Sequence, residues 1–132
     1  MKRQQLNSNI YNPTTTAMIV MDKDSNKTYK PVFSGTKLET DYGLITKMPN
    51  PYDPEKAIFL FTGAHTFGLA GAARMLTRPY VSRIAKEVRK GKEDYWQALV
   101  CTEVRGLQVF PELEVFKPLK RNLFLTKKVS VI

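Results

Sequence analysis

Ala57-Ile-Phe-Leu-Phe-Thr-Gly-Ala-His-Thr-Phe-Gly-Leu-Ala-Gly-Ala-Ala-Arg-Met-Leu76 decides how the rest of the chain is read. Ala57 to Phe61 run without a charge, the pattern of a central strand covered on both faces. The run stops at Gly63 and reopens as a segment of small residues. There Leu69, Ala72, Ala73 and Leu76 fall at i, i+3, i+4 and i+7, with Gly68, Gly71 and Met75 on the adjoining stripe. Strand, tight turn and helix follow, with glycines that let the helix backbone approach a sheet. Backbone N–H groups meet the positive end of the helix dipole at such a turn and favour a bound anion.

Working outward, a second helix is expected from Pro79 to Lys90. Tyr80, Val81, Ile84, Ala85 and Val88 make its apolar face, Pro79 suits the first turn and Gly91 the stop. Trp96 to Val104 reads as a buried strand reached from the Ala57 strand through helix, which predicts a right-handed βαβ crossover between parallel strands. Upstream, Ala17–Met21 and Thr28–Phe33 form a hairpin around the turn formers Asp22 to Lys27, with Pro31 placing its second strand at an edge. Asp41 to Met48 is a further strand, closed by a rigid loop containing Pro49, Pro51 and Pro54. Near the C-terminus, Leu113 and Val115 alternate with Glu112 and Glu114, and Leu123, Leu125, Val129 and Val131 continue an apolar pattern, so one or two antiparallel strands are expected there. Residues 1–16, polar and Asn-rich, read as a flexible arm. The fold expectation is a single α/β domain over residues 17–132. It is a Rossmann-like mixed sheet in two or three layers, with an N-terminal hairpin, a crossover of two consecutive helices and antiparallel C-terminal strands.

Known phosphate loops fit the turn only in part. Gly63 and Gly68 keep the G-x-x-x-x-G spacing of an NTPase loop, but Leu69 and Ala70 replace the Lys and Ser/Thr that should follow. The dinucleotide pattern G-x-G-x-x-G fails because neither Ala64 nor His65 is glycine. The order Asp41-Tyr-Gly-Leu-Ile45, Asn50-Pro51 and Gly63-x-x-x-x-Gly68 resembles uncharacterised short prokaryotic Rossmann-like domains. The resemblance spans roughly residues 41 to 76. It implies the architecture and brings no activity with it.

Composition narrows the function classes. The chain has 132 residues, 42% hydrophobic and 25% charged, which suits one folded domain. No apolar run approaches the ~18 residues of a membrane span, and residues 1–10 lack the apolar core of a secretory signal, so a cytoplasmic location is expected. One cysteine, Cys101, and one histidine, His65, supply neither an internal disulfide nor a zinc cluster, and no cofactor is indicated. Paired carboxylates, a G-x-S-x-G elbow and a Cys–His signature are all missing, so no reaction type is readable. The formal charge of +9 favours anionic partners.

Three functions follow from these residues. The first is binding of a small anionic, nucleotide-like ligand at the turn, with Gly63, His65, Thr66 and Gly68 around it and polar contacts from Asp41 and Asn50. Each has a plainer reading: His65 or Thr66 caps the helix, and Asp41 and Asn50 serve turns. The second is nucleic-acid binding through Arg78, Arg83, Lys86, Arg89 and Lys90, with the basic stretch Lys117 to Lys128 beside it. The third is a structural or homo-oligomeric module joined through exposed strand edges. Cys101 reads as an inert core thiol, and Tyr95 and Trp96 as core or interface aromatics.

Overall fold

The computed structural model describes residues 10–12 and 17–125. Three short strands come first. β1 (Ile10–Asn12), β2 (Ala17–Asp22) and β3 (Lys27–Tyr29) form an antiparallel sheet in that order. The expected hairpin is therefore present as β2–β3, turning through Asn26 in the left-handed region at φ 59°. β1 adds to it from inside the stretch expected to be a flexible arm, pairing Ile10 with Ile19.

Then come β4 (Val32–Ser34), β5 (Lys37–Asn50), β6 (Asp53–Gly63), α1 (Thr66–Met75), α2 (Val81–Lys90), β7 (Tyr95–Arg105), β8 (Gln108–Leu119) and the short α3 (Arg121–Leu125). β5 is the centre of a five-stranded sheet. β7 pairs along one side of it and β8 lies beyond β7. β4 and β6 share the other side, β4 against residues 37–40 and β6 against residues 43–50.

This arrangement overturns the Rossmann-like expectation. Every pairing is antiparallel, and the sheet curls into a half-barrel. β6 and β7 do run in the same direction, because each is antiparallel to β5. They are not neighbours, since β5 stands between them, so the α1–α2 connection steps over a strand instead of joining a parallel pair. The Ala57–Phe61 run, expected at the centre, is at the edge, while Gly43, Leu44 and Ile45 of β5 are the buried central residues.

The prolines also behave differently from expectation. Pro49 lies within β5 and Pro54 within β6, and only Pro51–Tyr52 form the turn. β5 pairs with β7 only as far as Lys47, so beyond it the strand is bonded on one side and tolerates a residue without a donor. Pro31 falls between β3 and β4 and separates the two sheets. Leu123 and Leu125, expected in a strand, belong to α3, and Val129 and Val131 lie outside the described residues.

Alternation along the strands builds a core on each face of the large sheet. On one face Ile45, Trp96, Ala98 and Val100 meet Ala72 and Met75 of α1 and Ile84 of α2. On the other, Leu44 and Leu99 meet Val20 and Tyr29 of the small sheet. Burying one such side chain contributes about 1.5–3 kcal/mol, so the two clusters hold three layers together. Lys117 of β8 also binds Asp22, and reaches Asp24 at 2.6 Å, tying the small sheet to the large one by charge. α1 touches β5, β6, β7 and β8 and lies across one face. Its buried residues are Gly68, Gly71, Ala72 and Met75. The packing face is thus the small-residue stripe, and Leu69, expected to point inward, is exposed.

Candidate functional site

The Gly63–Thr66 turn was the expected anion site, and the chain supplies an anion of its own there. Asp41 sits inside β5, fully buried, one strand away from the turn that β6 feeds into α1. Its Oδ2 accepts the Gly68 N–H at 2.6 Å and its Oδ1 the Tyr42 N–H at 2.9 Å. Burial raises its carboxyl above the usual carboxylate range, and these N–H donors, with weaker help from the ring and the N–H of His65, offset only part of that rise. A buried carboxylate at the positive end of a helix is the interaction that the dipole favours.

The neighbouring amides are engaged as well. Ala64 N–H donates to the Tyr42 carbonyl at 2.9 Å and Leu69 N–H to the His65 carbonyl at 3.2 Å. His65 holds the N-cap position in extended backbone, yet its side chain makes no capping bond, and Thr66, exposed, makes none either. The cap comes from a residue 27 positions earlier in the chain. Local sequence spacing cannot show a cap of that kind. The available signal was Asp41 itself, an acid within an apolar strand pattern, which demands a partner.

The glycines serve the same contact. A Cβ on Gly43 would collide with the Gly68 carbonyl oxygen, and one on Gly71 with the Thr102 hydroxyl. Helix backbone therefore rests directly on strand backbone where Gly68 meets Gly43. Two buried polar atoms at this contact, His65 Nε2 and Thr102 Oγ1, have no hydrogen-bond partner among the described residues. His65 meets the Phe33 ring edge-on at 5.9 Å between centroids.

Asn50 is not part of this cluster. It lies at the far end of β5, nine residues beyond Asp41, about 30 Å along an extended strand. Its Oδ1 accepts the Tyr52 N–H at 2.8 Å and shapes the β5–β6 turn. Cys101 is half-buried beside Tyr42 on β5, and burial pushes its thiol up. Trp96 is buried against Phe59 and Phe116, and Tyr95 against Phe124, so both aromatics are core residues. Among the described residues no cluster of His, Cys, Asp or Glu could hold a metal ion, and no helix is long and apolar enough to cross a membrane.

α2 is the other candidate. Ile84 is its one fully buried residue and anchors it to the core beside Met75. Val81 N–H donates to the Thr77 carbonyl at 2.9 Å, and at the other end Gly91 N–H donates to the Val88 carbonyl at 3.2 Å. Arg83, Lys86, Arg89 and Lys90 are all exposed. At 100° per residue they occupy one arc opposite Val81, Ile84, Ala85 and Val88. The one acid of the helix, Glu87, lies at the margin of that arc and bonds Lys90 at 3.1 Å. Arg78 is also exposed but stands outside the helix, in the α1–α2 link. Arg74, the last cation of α1, is committed internally, donating to the Val109 carbonyl at 3.0 Å and stacking on Tyr80. Of the downstream basic stretch, Lys117 is held by Asp22 and Asp24 and does not join the exposed cations.

Comparison with family models, with curated proteins and with solved structures finds no match to this chain.

Proposed function

We propose that the protein binds nucleic acid through the phosphate backbone, using the cationic arc of α2. The observation that carries this reading is the convergence of Arg83, Lys86, Arg89 and Lys90 on one exposed arc of a helix whose opposite side is anchored in the core. Arg83 and Lys90 are seven residues apart, about 10 Å along the helix, which spans about three phosphates of one strand. Cations in the last turn also satisfy the helix dipole, but Arg83 and Lys86 lie before that turn and gain little from it. A membrane-surface helix would turn its apolar residues outward, whereas Ile84 is in the core. The small-molecule alternative at the glycine turn has less support, because Asp41 and the neighbouring carbonyls already take up the Gly68, Ala64 and Leu69 amides.

Fluorescence anisotropy with labelled duplex DNA and single-stranded RNA tests the reading. Four phosphate contacts predict an affinity loss of about a hundredfold between about 50 and 200 mM salt. The double substitution Arg83→Glu/Arg89→Glu should abolish binding at the lower salt. Salt-independent binding, no binding at low salt, or full binding by the charge-reversed variant would overturn it.

A further inference from the structure

α2 stands clear of the body of the protein. Ile84 is its one fully buried residue, and even on the apolar side Val88 is 37% exposed. Around the axis its cations are spread out, not aligned. At 100° per residue Arg83 and Arg89 lie about 120° apart, at the two margins of the arc, with Lys86 and Lys90 between them. Ser82 is the remaining residue of the arc, exposed, its hydroxyl donating to the Pro79 carbonyl at 3.0 Å. Exposed Arg78 and Lys92 continue the positive charge past the two ends of the helix. The arc holds no aromatic residue. Tyr80, at the entrance to the helix, is half-buried and has Arg74 stacked on its ring.

We propose that α2 docks in the major groove of double-stranded DNA, a choice of partner that rests on the phosphate-binding reading above. Shape selects this occupant among nucleic acids. A helix with its side chains is about 10–12 Å across, which fits the B-form major groove at about 12 Å, whereas the minor groove at about 6 Å excludes it. The major groove of duplex RNA is deep and too narrow to be read by side chains. Single strands are held in basic grooves where aromatic rings stack on the bases, and this arc is convex and without aromatics. The spread of the cations fits a groove with phosphates on both walls. Arg83 is placed for one strand and Arg89 for the other, while Lys86, at the middle of the arc, meets the floor, where guanine O6 and N7 accept hydrogen bonds. An anionic surface without walls would engage the middle of the arc and leave its margins idle.

Fluorescence anisotropy on the full chain at about 50 mM salt can compare four labelled probes of one length and sequence. These are a DNA duplex, the RNA duplex, the single DNA strand, and a DNA duplex whose cytosines are glucosylated 5-hydroxymethylcytosine. The last fills the major groove with neutral sugar and leaves the phosphates unchanged. The plain DNA duplex should bind at least about tenfold more tightly than each of the others, the loss expected when contacts at the groove floor are denied. Lys86→Ala, at an exposed position, should bring the plain duplex down toward the glucosylated one with an unchanged far-UV circular dichroism spectrum. Equal binding of the plain duplex and any of the other three probes, or an undiminished gap in Lys86→Ala, overturns groove docking and leaves phosphate binding in place. Polyglutamate that displaces the duplex as readily as unlabelled duplex does overturns it in favour of an acidic protein partner. Failure of all four probes to bind brings down both readings.

Discussion

Replacing Gly68 by alanine sets two physical effects against each other. On helix propensity alone the change should stabilise α1 by about 1 kcal/mol. The packing predicts the reverse. A Cβ at this position would overlap the Tyr42 carbonyl oxygen and stand 2.7 Å from its carbon and 2.9 Å from Asp41 Oδ2. Two of these atoms are backbone and the third is pinned by its own hydrogen bonds, so none can swing away. α1 must lift off β5. Overpacking of this kind costs about 1–3 kcal/mol, and stretching the charge-assisted Gly68–Asp41 bond forfeits up to about 1.5–3 kcal/mol more. Set against the propensity gain, the net loss should be about 2–4 kcal/mol. Urea unfolding followed by far-UV circular dichroism and by Trp96 fluorescence measures it. Gly91→Ala is the control, since its nearest neighbours lie 4.0 Å away and its change should stay within about 0.5 kcal/mol. A Gly68→Ala protein as stable as the parent, or more so, would refute the direct seating of helix backbone on strand backbone.

Thr102→Val removes a buried hydroxyl without a partner while keeping the side-chain shape, so thermal unfolding should show a gain of about 1 kcal/mol; a loss would reveal a bond made by that hydroxyl. Lys117→Met leaves Asp22 buried without its cation and should cost about 3 kcal/mol, read as a lower urea midpoint and loss of the near-ultraviolet signal of the packed Tyr29–Tyr42 pair. The same ion pair sets a pH window. Burial works to raise the Asp22 carboxyl, but Lys117 and the Asp24 N–H outweigh it and hold it below 3.8, so its stabilisation is present above that value and fades as the pH falls through the depressed one. Burial likewise opposes the Lys117 charge, yet Asp22 and Asp24 raise its pKa above 10.5, so its contribution is full below that pH and lost only as the pH climbs through the raised value. Unfolding midpoints measured between these limits should show a plateau in the difference between parent and Lys117→Met, with the difference shrinking under acid.

The parts of the fold that local pattern governs were legible in the sequence. The β2–β3 hairpin, the two helices, the Gly91 stop and the long β7 strand all lie close to where residue spacing and turn chemistry put them. The parallel arrangement failed because two helices between two apolar strands look the same whether the strands end up adjacent or separated by a third. Nothing in Ala57–Phe61 records that β5 takes the place beside β7. Apolarity at β6 suggested burial on both faces, whereas β6 pairs with β5 alone among the described residues and leaves Phe59 and Leu60 half exposed. Along α1, the glycines were legible as the residues that let the helix backbone approach a sheet, and Gly68 and Gly71 are buried there, but spacing also turned Leu69 inward, because periodicity weighs hydrophobicity and does not fix where the packed stripe ends. At the turn, Gly63, His65, Thr66 and Gly68 are close together as expected and Asp41 joins them, while Asn50 lies at the other end of its strand. The acid belongs to the chain itself, a tertiary fact that no local motif encodes.

The Tyr42 and Gly68 amide protons are secured by two oxygens of a single side chain, although one lies in a strand and the other in the first turn of a helix. Neither can be released to solvent without disturbing the group that protects the other. Strand and helix should therefore open as one cooperative unit, with both protons exchanging at a common rate. The beginning of α1, where helices ordinarily fray first, becomes as slow to exchange as the centre of the sheet.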